Sequence, residues 1–169
     1  MENIILIGFM GAGKTTLGRR LAKQLGVAFV DTDARIEQEQ GRRISDIFAR
    51  EGEAFFRGLE TELLGRLLGQ EKMRVISVGG GLPVQEQNHE LLRKLGKTVY
   101  LKAEKETLLG RLTGDTERPL LQGGDLERKI TQLMAAREDI YERVADVTLP
   151  TDHMGLFETL KALHNMLHI

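Results

Sequence analysis

Residues 8–15, Gly8-Phe9-Met10-Gly11-Ala12-Gly13-Lys14-Thr15, form a Gly-x-x-x-x-Gly-Lys-Thr string. Glycines at this spacing let the chain curl so that successive backbone N–H groups point inward, and a helix starting at Lys14 adds partial positive charge. That combination suits phosphate oxygens. Gly11, Ala12, Gly13, Lys14, Thr15 and Thr16 would line such a cradle. Lys14 can reach the β- and γ-phosphates of a nucleoside triphosphate, and the Thr15 hydroxyl can ligate Mg²⁺. The plainer alternative is a glycine turn that merely joins strand to helix. The order of apolar strand, string and helix favours the cradle.

Five further groups carry charge or backbone freedom in patterns that suit an acceptor site. Asp31 and Asp33 follow a short apolar run; one carboxylate can hold water on Mg²⁺ while the other orients an attacking hydroxyl and accepts its proton. Asp33 can equally be the cap of a helix over residues 34–40. Glu53, Arg57 and Glu60 share one helical face at spacings of four and three. They form either a surface ion-pair row or, for Arg57, a planar fork for a bound carboxylate. Gly79, Gly80 and Gly81 end another apolar run, as a simple turn or as backbone brought close to a ligand. Arg137 lies on the apolar side of a helix over residues 125–144, with Ile130, Met134 and Tyr141. There it either snorkels to the edge or meets an anion. Arg118 precedes Pro119, which keeps it extended. It is a solvated loop arginine or a cation that closes over the transferring phosphate.

The elements that must position these groups follow from periodicity. Short runs at 4–7 (IILI), 28–30 (AFV), 75–78 (VISV), 98–101 (TVYL) and 147–149 (VTL) read as buried strands. Stripes at Leu17-Leu21-Leu25, Leu59-Leu63-Leu67 and Leu156-Leu160-Leu163-Leu167 read as helices between and after them. Alternation of this kind implies parallel βαβ units in a three-layer α/β fold. Residues 113–124, bounded by glycine and containing Pro119, read as a mobile loop.

Length and composition bound the function. The 169 residues suit one domain over 1–169, with a net charge of -1 and 41% apolar residues. No basic tract marks a nucleic-acid or membrane surface, and no apolar run approaches a membrane span. The absence of cysteine excludes disulfides and thiol chemistry and fits a cytoplasmic enzyme; the histidines show no metal spacing. A GTPase would need an Asn-Lys-x-Asp string, which is lacking. A motor-type ATPase would end a later strand in an acidic residue, where here glycines stand. The layout suits a small-molecule kinase.

In order along the chain, GFMGAGKTT, DTD, FRGLE, GGG and RPLL resemble the shikimate kinases over essentially the whole sequence. The resemblance implies a P-loop fold, α/β/α in three layers, with a five-stranded parallel sheet ordered 2-3-1-4-5. It also implies a substrate-binding segment at about 33–60 and a lid at about 113–124. The implied reaction is ATP-dependent phosphorylation of the 3-hydroxyl of shikimate, on the route to chorismate and the aromatic amino acids. Asp33, Arg57, Gly79, Gly80, Gly81 and Arg137 would hold shikimate, with Arg57 and Arg137 on its carboxylate. Lys14, Asp33 and Arg118 would be catalytic. Arg111 would stack on adenine, with Pro150 and Thr151 beyond it. Thr15, and Asp31 through water, would serve Mg²⁺. The partners implied are ATP and shikimate acting on a monomer, with neither nucleic acid nor membrane. Met10 departs from the smaller residue or proline of many relatives. A gluconate kinase-like enzyme and a non-catalytic nucleotide-dependent regulator are the alternatives.

Overall fold

The computed structural model describes residues 2–113 and 118–169. Part of the expected lid, residues 114–117, lies outside the described residues. Strands β1 (Asn3–Ile7), β2 (Ala28–Asp31), β3 (Arg74–Ser77), β4 (Gly96–Lys102) and β5 (Val147–Pro150) form one sheet in the order β2-β3-β1-β4-β5. Every pairing is parallel. All five residues of β1 are buried. A central parallel strand is covered on both faces, so its apolar run is continuous rather than alternating.

Helices α1 (Lys14–Leu25) and α8 (Leu156–Leu167) pack together on one face. The other face carries α4 (Glu53–Leu68), α5 (His89–Leu95) and α7 (Leu126–Val144), with α6 (Lys105–Leu112) against α7. Right-handed crossovers from this strand order demand that division. Helices α2 (Thr32–Gln40) and α3 (Ile44–Glu51) pack against α4. The three-layer arrangement and strand order agree with expectation.

Three local readings are corrected. Strand β4 begins at Gly96, two residues before the apolar run, because Asn3 and Ile4 of β1 pair with Gly96 and Lys97. Helix α2 begins at Thr32, and its cap is Asp31, whose Oδ1 accepts from the Ala34 N–H at 3.1 Å. Asp33 is therefore free of capping. The described end of the 113–124 segment is not bare loop: Pro119–Leu121 makes a 3-10 turn and buries Leu121.

Helices leave β1 and β3 toward opposite faces of the sheet, so a crevice opens beyond the carboxyl ends of these neighbouring strands. Residues 8–13 and 78–81 are its two lips.

Candidate active site

The glycine string bends as its composition requires. Gly8, Gly11 and Gly13 have φ of 151°, 80° and 89°, values that side chains strongly disfavour. Gly13 is the N-cap of α1, so the N–H groups of its first turn open toward the crevice. Lys14 is buried, and its Nζ donates to the carbonyls of Gly8 at 2.8 Å and Phe9 at 2.9 Å. Burial pulls its pKa down to about 8, against the opposing pull of Asp33 and Asp31. Thr15 Oγ1 donates to Asp31 Oδ2 at 2.7 Å. One Asp31 carboxylate therefore caps α2 through one oxygen and meets the phosphate loop through the other.

Two clefts share this crevice. The first is lined by Gly11, Gly13, Lys14, Thr15, Thr16 and Asp31, with Arg111 at its rim. The second lies between α2, α3, α4 and the glycine lip and is walled by Phe48 and Phe56, with Arg57, Glu60 and Arg137 as its charged groups. Met10, Asp33, Gly79, Gly80 and Arg118 line both. A group passing from one cleft to the other must therefore pass Asp33 and Arg118. Burial, then the nearby Asp31, raises the Asp33 pKa above the usual carboxylate range.

The second cleft is built around two guanidinium groups. Arg57 Nη1 donates to Glu60 Oε1 at 2.7 Å, and its Nη2 donates to Glu53 Oε1 at 3.0 Å. Arg137 comes from the inward face of α7 and is only 5% exposed; its Nη1 has no hydrogen-bond partner. The Arg137 guanidinium lies 5.8 Å from the Phe9 ring centre. Gly81 leaves room for the Arg57 guanidinium. A Cβ there would lie 2.5 Å from Arg57 Cζ, closer than any relaxed contact.

The glycine lip is braced on both sides. Gly79 N–H donates to Thr32 Oγ1 at 3.1 Å, and the Tyr141 hydroxyl donates to the Gly80 carbonyl at 2.5 Å. The Tyr141 ring packs on Tyr100, 5.2 Å between centres. Tyr141 and Glu60 are the structural members of the site that periodicity does not single out. Tyr141 looks like any core residue of α7, and Glu60 like one end of a surface ion-pair row. Glu60 is in fact fully buried.

Beside the first cleft, Arg111 Nη1 donates to the Gly11 carbonyl at 2.8 Å. Arg111 and Thr151 face one hollow beside Gly11 and Thr16. Pro150 does not join them: it lines a separate groove with Lys102 and Glu104. Alternation along β5 accounts for this, since successive residues of a strand point to opposite sides. Among the described residues, no cluster of three or more His, Cys, Asp or Glu side chains could hold a metal, and no helix is long and apolar enough to cross a membrane.

Comparison with known proteins gives a consistent answer. The shikimate kinase family model matches residues 10–165. A shikimate kinase of Pelotomaculum thermopropionicum is 43% identical, over 99% of this chain and 95% of that protein. The solved shikimate kinase of Acinetobacter baumannii, in complex with shikimate, is 40% identical, with a TM-score of 0.93 over 99% of this chain and 94% of its own. A gluconokinase from Sinorhizobium meliloti is similar in fold alone, at 18% identity and a TM-score of 0.59. With its phosphate loop, its paired guanidinium groups and near full-length matches in both sequence and structure, this chain belongs to the shikimate kinase family.

Proposed function

We propose a division of labour among these residues for the family's reaction, transfer of the γ-phosphoryl group of ATP to shikimate. The observation that carries the reading is the partnerless Nη1 of buried Arg137 beside Arg57. A buried guanidinium with an unused N–H calls for an anion, and two such groups suit one carboxylate. Shikimate's carboxylate would lie against Arg57 and Arg137, its ring against Phe48 and Phe56, and its reacting hydroxyl at Asp33. The triphosphate would lie along the loop from Gly11 to Thr16, with adenine between Arg111 and Thr151.

Thr15 and Asp31 fit Mg²⁺, because they are hard oxygen donors in contact at the mouth of the phosphate cleft. Thr15, and Asp31 through water, would hold the ion, which would supply positive charge against that building on the transferring group. The chain's own residues do the rest. Lys14 leaves its two carbonyl partners for phosphate oxygens. Asp33, whose raised pKa suits proton acceptance, takes the proton from the attacking hydroxyl. Arg118, at the junction, holds the phosphoryl group in line.

Arg137→Ala tests the carboxylate assignment. The KM for shikimate should rise about 10–100-fold, equivalent to about 1.4–2.7 kcal/mol, while the KM for ATP stays within about twofold. Equal losses for both substrates would remove Arg137 from the acceptor side. Gly81→Ala leaves both guanidinium groups in the sequence but pushes Arg57 aside. It should raise the shikimate KM by about tenfold, a loss of about 1.4 kcal/mol, with ADP affinity retained in a binding titration. Unchanged shikimate kinetics would show that Arg57 position is unimportant.

A further inference from the structure

Glu60 is the most fully enclosed acid of the acceptor cleft, at 0% exposure. Its two oxygens live differently. Oε1 accepts from Arg57 Nη1 at 2.7 Å, whereas Oε2 is buried with no hydrogen-bond partner. The partnerless oxygen faces the glycine lip together with a second acid. A Cβ at Gly79 would lie 3.1 Å from Glu60 Oε2 and 2.6 Å from Asp33 Oδ1, so both carboxylates converge on one backbone position. Arg57 is meanwhile shared with Glu53, 3.0 Å from its Nη2.

The charged groups acting on Glu60 are Arg57 on its own helix, Asp33 from α2 and Arg137 from α7, while Glu53 pairs with Arg57 alone. Lys14 and Arg118 act on the same cluster through Asp33. In the empty cleft the two guanidinium groups favour the Glu60 anion, while burial and Asp33 oppose it. An arriving carboxylate that takes hold of Arg57 and Arg137 divides their charge with Glu60 and adds a third like charge.

We infer that Glu60 is a proton-linked positioning residue, which takes up one proton from solvent as the substrate's carboxylate settles on Arg57 and Arg137. This rests on the placement of shikimate's carboxylate proposed above. Protonation removes the repulsion and turns the partnerless oxygen into a donor facing Asp33, while Oε1 keeps its bond from Arg57. Burial already raises Glu60 to about 7 even against the pull of Arg57. The sign follows from linkage: the bound form has the higher pKa. Shikimate affinity is therefore full below pH ~7 and falls, by at most about tenfold per unit, as pH rises above it.

Isothermal titration of the full chain with shikimate at pH ~7.5, in Hepes and in Tris, counts the protons exchanged through the different ionisation heats of the buffers. About a quarter of Glu60 is already protonated at this pH, so wild type should take up as much as about three quarters of a proton per site. Glu60→Gln keeps an acceptor for Arg57 but cannot titrate; it should bind with no uptake and with affinity flat from pH ~6 to ~8. Glu53→Gln should leave the uptake unaltered, and ADP affinity serves as the check on folding for both variants. Shikimate binding without proton exchange in wild type would overturn the inference and leave the carboxylate placement standing. Uptake that persists in Glu60→Gln would overturn it by assigning the proton to Asp33. Failure of wild type to bind shikimate would overturn the placement itself, and the inference with it.

Discussion

Replacing Lys14 with methionine should lower kcat by about 10²–10³-fold, the loss typical for removing one preorganised group from a developing charge. The side chain is buried inside the loop, where two loop carbonyls hold its ammonium group until phosphate oxygens replace them. Methionine keeps most of the volume and loses only the ammonium group. Folding works against the charged form, as the lowered pKa of about 8 shows. The unfolded chain holds that proton more tightly, so charged Lys14 is a stability cost below pH ~8 that fades as pH rises toward ~10.5. The variant should therefore melt at the same temperature as wild type or higher at neutral pH. A kcat within tenfold of wild type, or a fall in melting temperature that accounts for the lost activity, would contradict this role. In wild type, kcat/KM for ATP should decline as pH rises through about 8, where the free enzyme loses the Lys14 proton.

Asp33→Asn should lower kcat by about 10²–10⁴-fold with little change in ATP affinity. Asparagine preserves the shape and one acceptor oxygen but cannot take a proton. Asp33 lines both clefts, so it is the carboxylate that an acceptor hydroxyl and a γ-phosphate would share. Asp31, the other candidate, is committed to Thr15 and to the cap of α2. Steady-state kinetics on the variant, with ADP binding as a control, decide between the roles. A loss smaller than about tenfold would mean that Asp33 only orients the hydroxyl, as a neutral hydrogen-bonding group can.

Much of this geometry is legible in the residue pattern, and the exceptions have physical causes. The IILI run and the glycine string define β1 and the phosphate loop because buried parallel strands and positive-φ glycines each leave a local signature. Arg137 is readable as inward because helical periodicity fixes its face. The start of α2 is not readable, since Asp31, Thr32 and Asp33 are all good caps and only tertiary contact with Thr15 selects among them. The first residues of β4 are invisible because Gly96 and Lys97 are neither apolar nor β-branched, and they join the sheet only through pairing with β1. Pro150 and Thr151 line different grooves; in a short strand end, the side faced depends on a register that composition does not encode. Glu60 shows the deepest gap between pattern and place. The same four- and three-residue spacing describes a solvated row and a buried pair, and packing of α4 under the glycine lip makes it the latter.

A gluconokinase with a similar backbone shares the fold at 18% identity, but shared architecture leaves the acceptor open. The pair Arg57 and Arg137, both nearly sheltered from water, calls for a carboxylate, which shikimate and gluconate both carry, so it excludes neutral acceptors while the choice between these two rests on family membership. A neutral polyol would leave the free N–H of Arg137 unanswered. The most direct measurement is ADP release by the purified chain with ATP and Mg²⁺, supplied in parallel with shikimate, gluconate or no acceptor, and with the product identified by mass. Release dependent on shikimate, with one phosphate added to it, is the predicted result. Turnover on gluconate without turnover on shikimate would contradict the account.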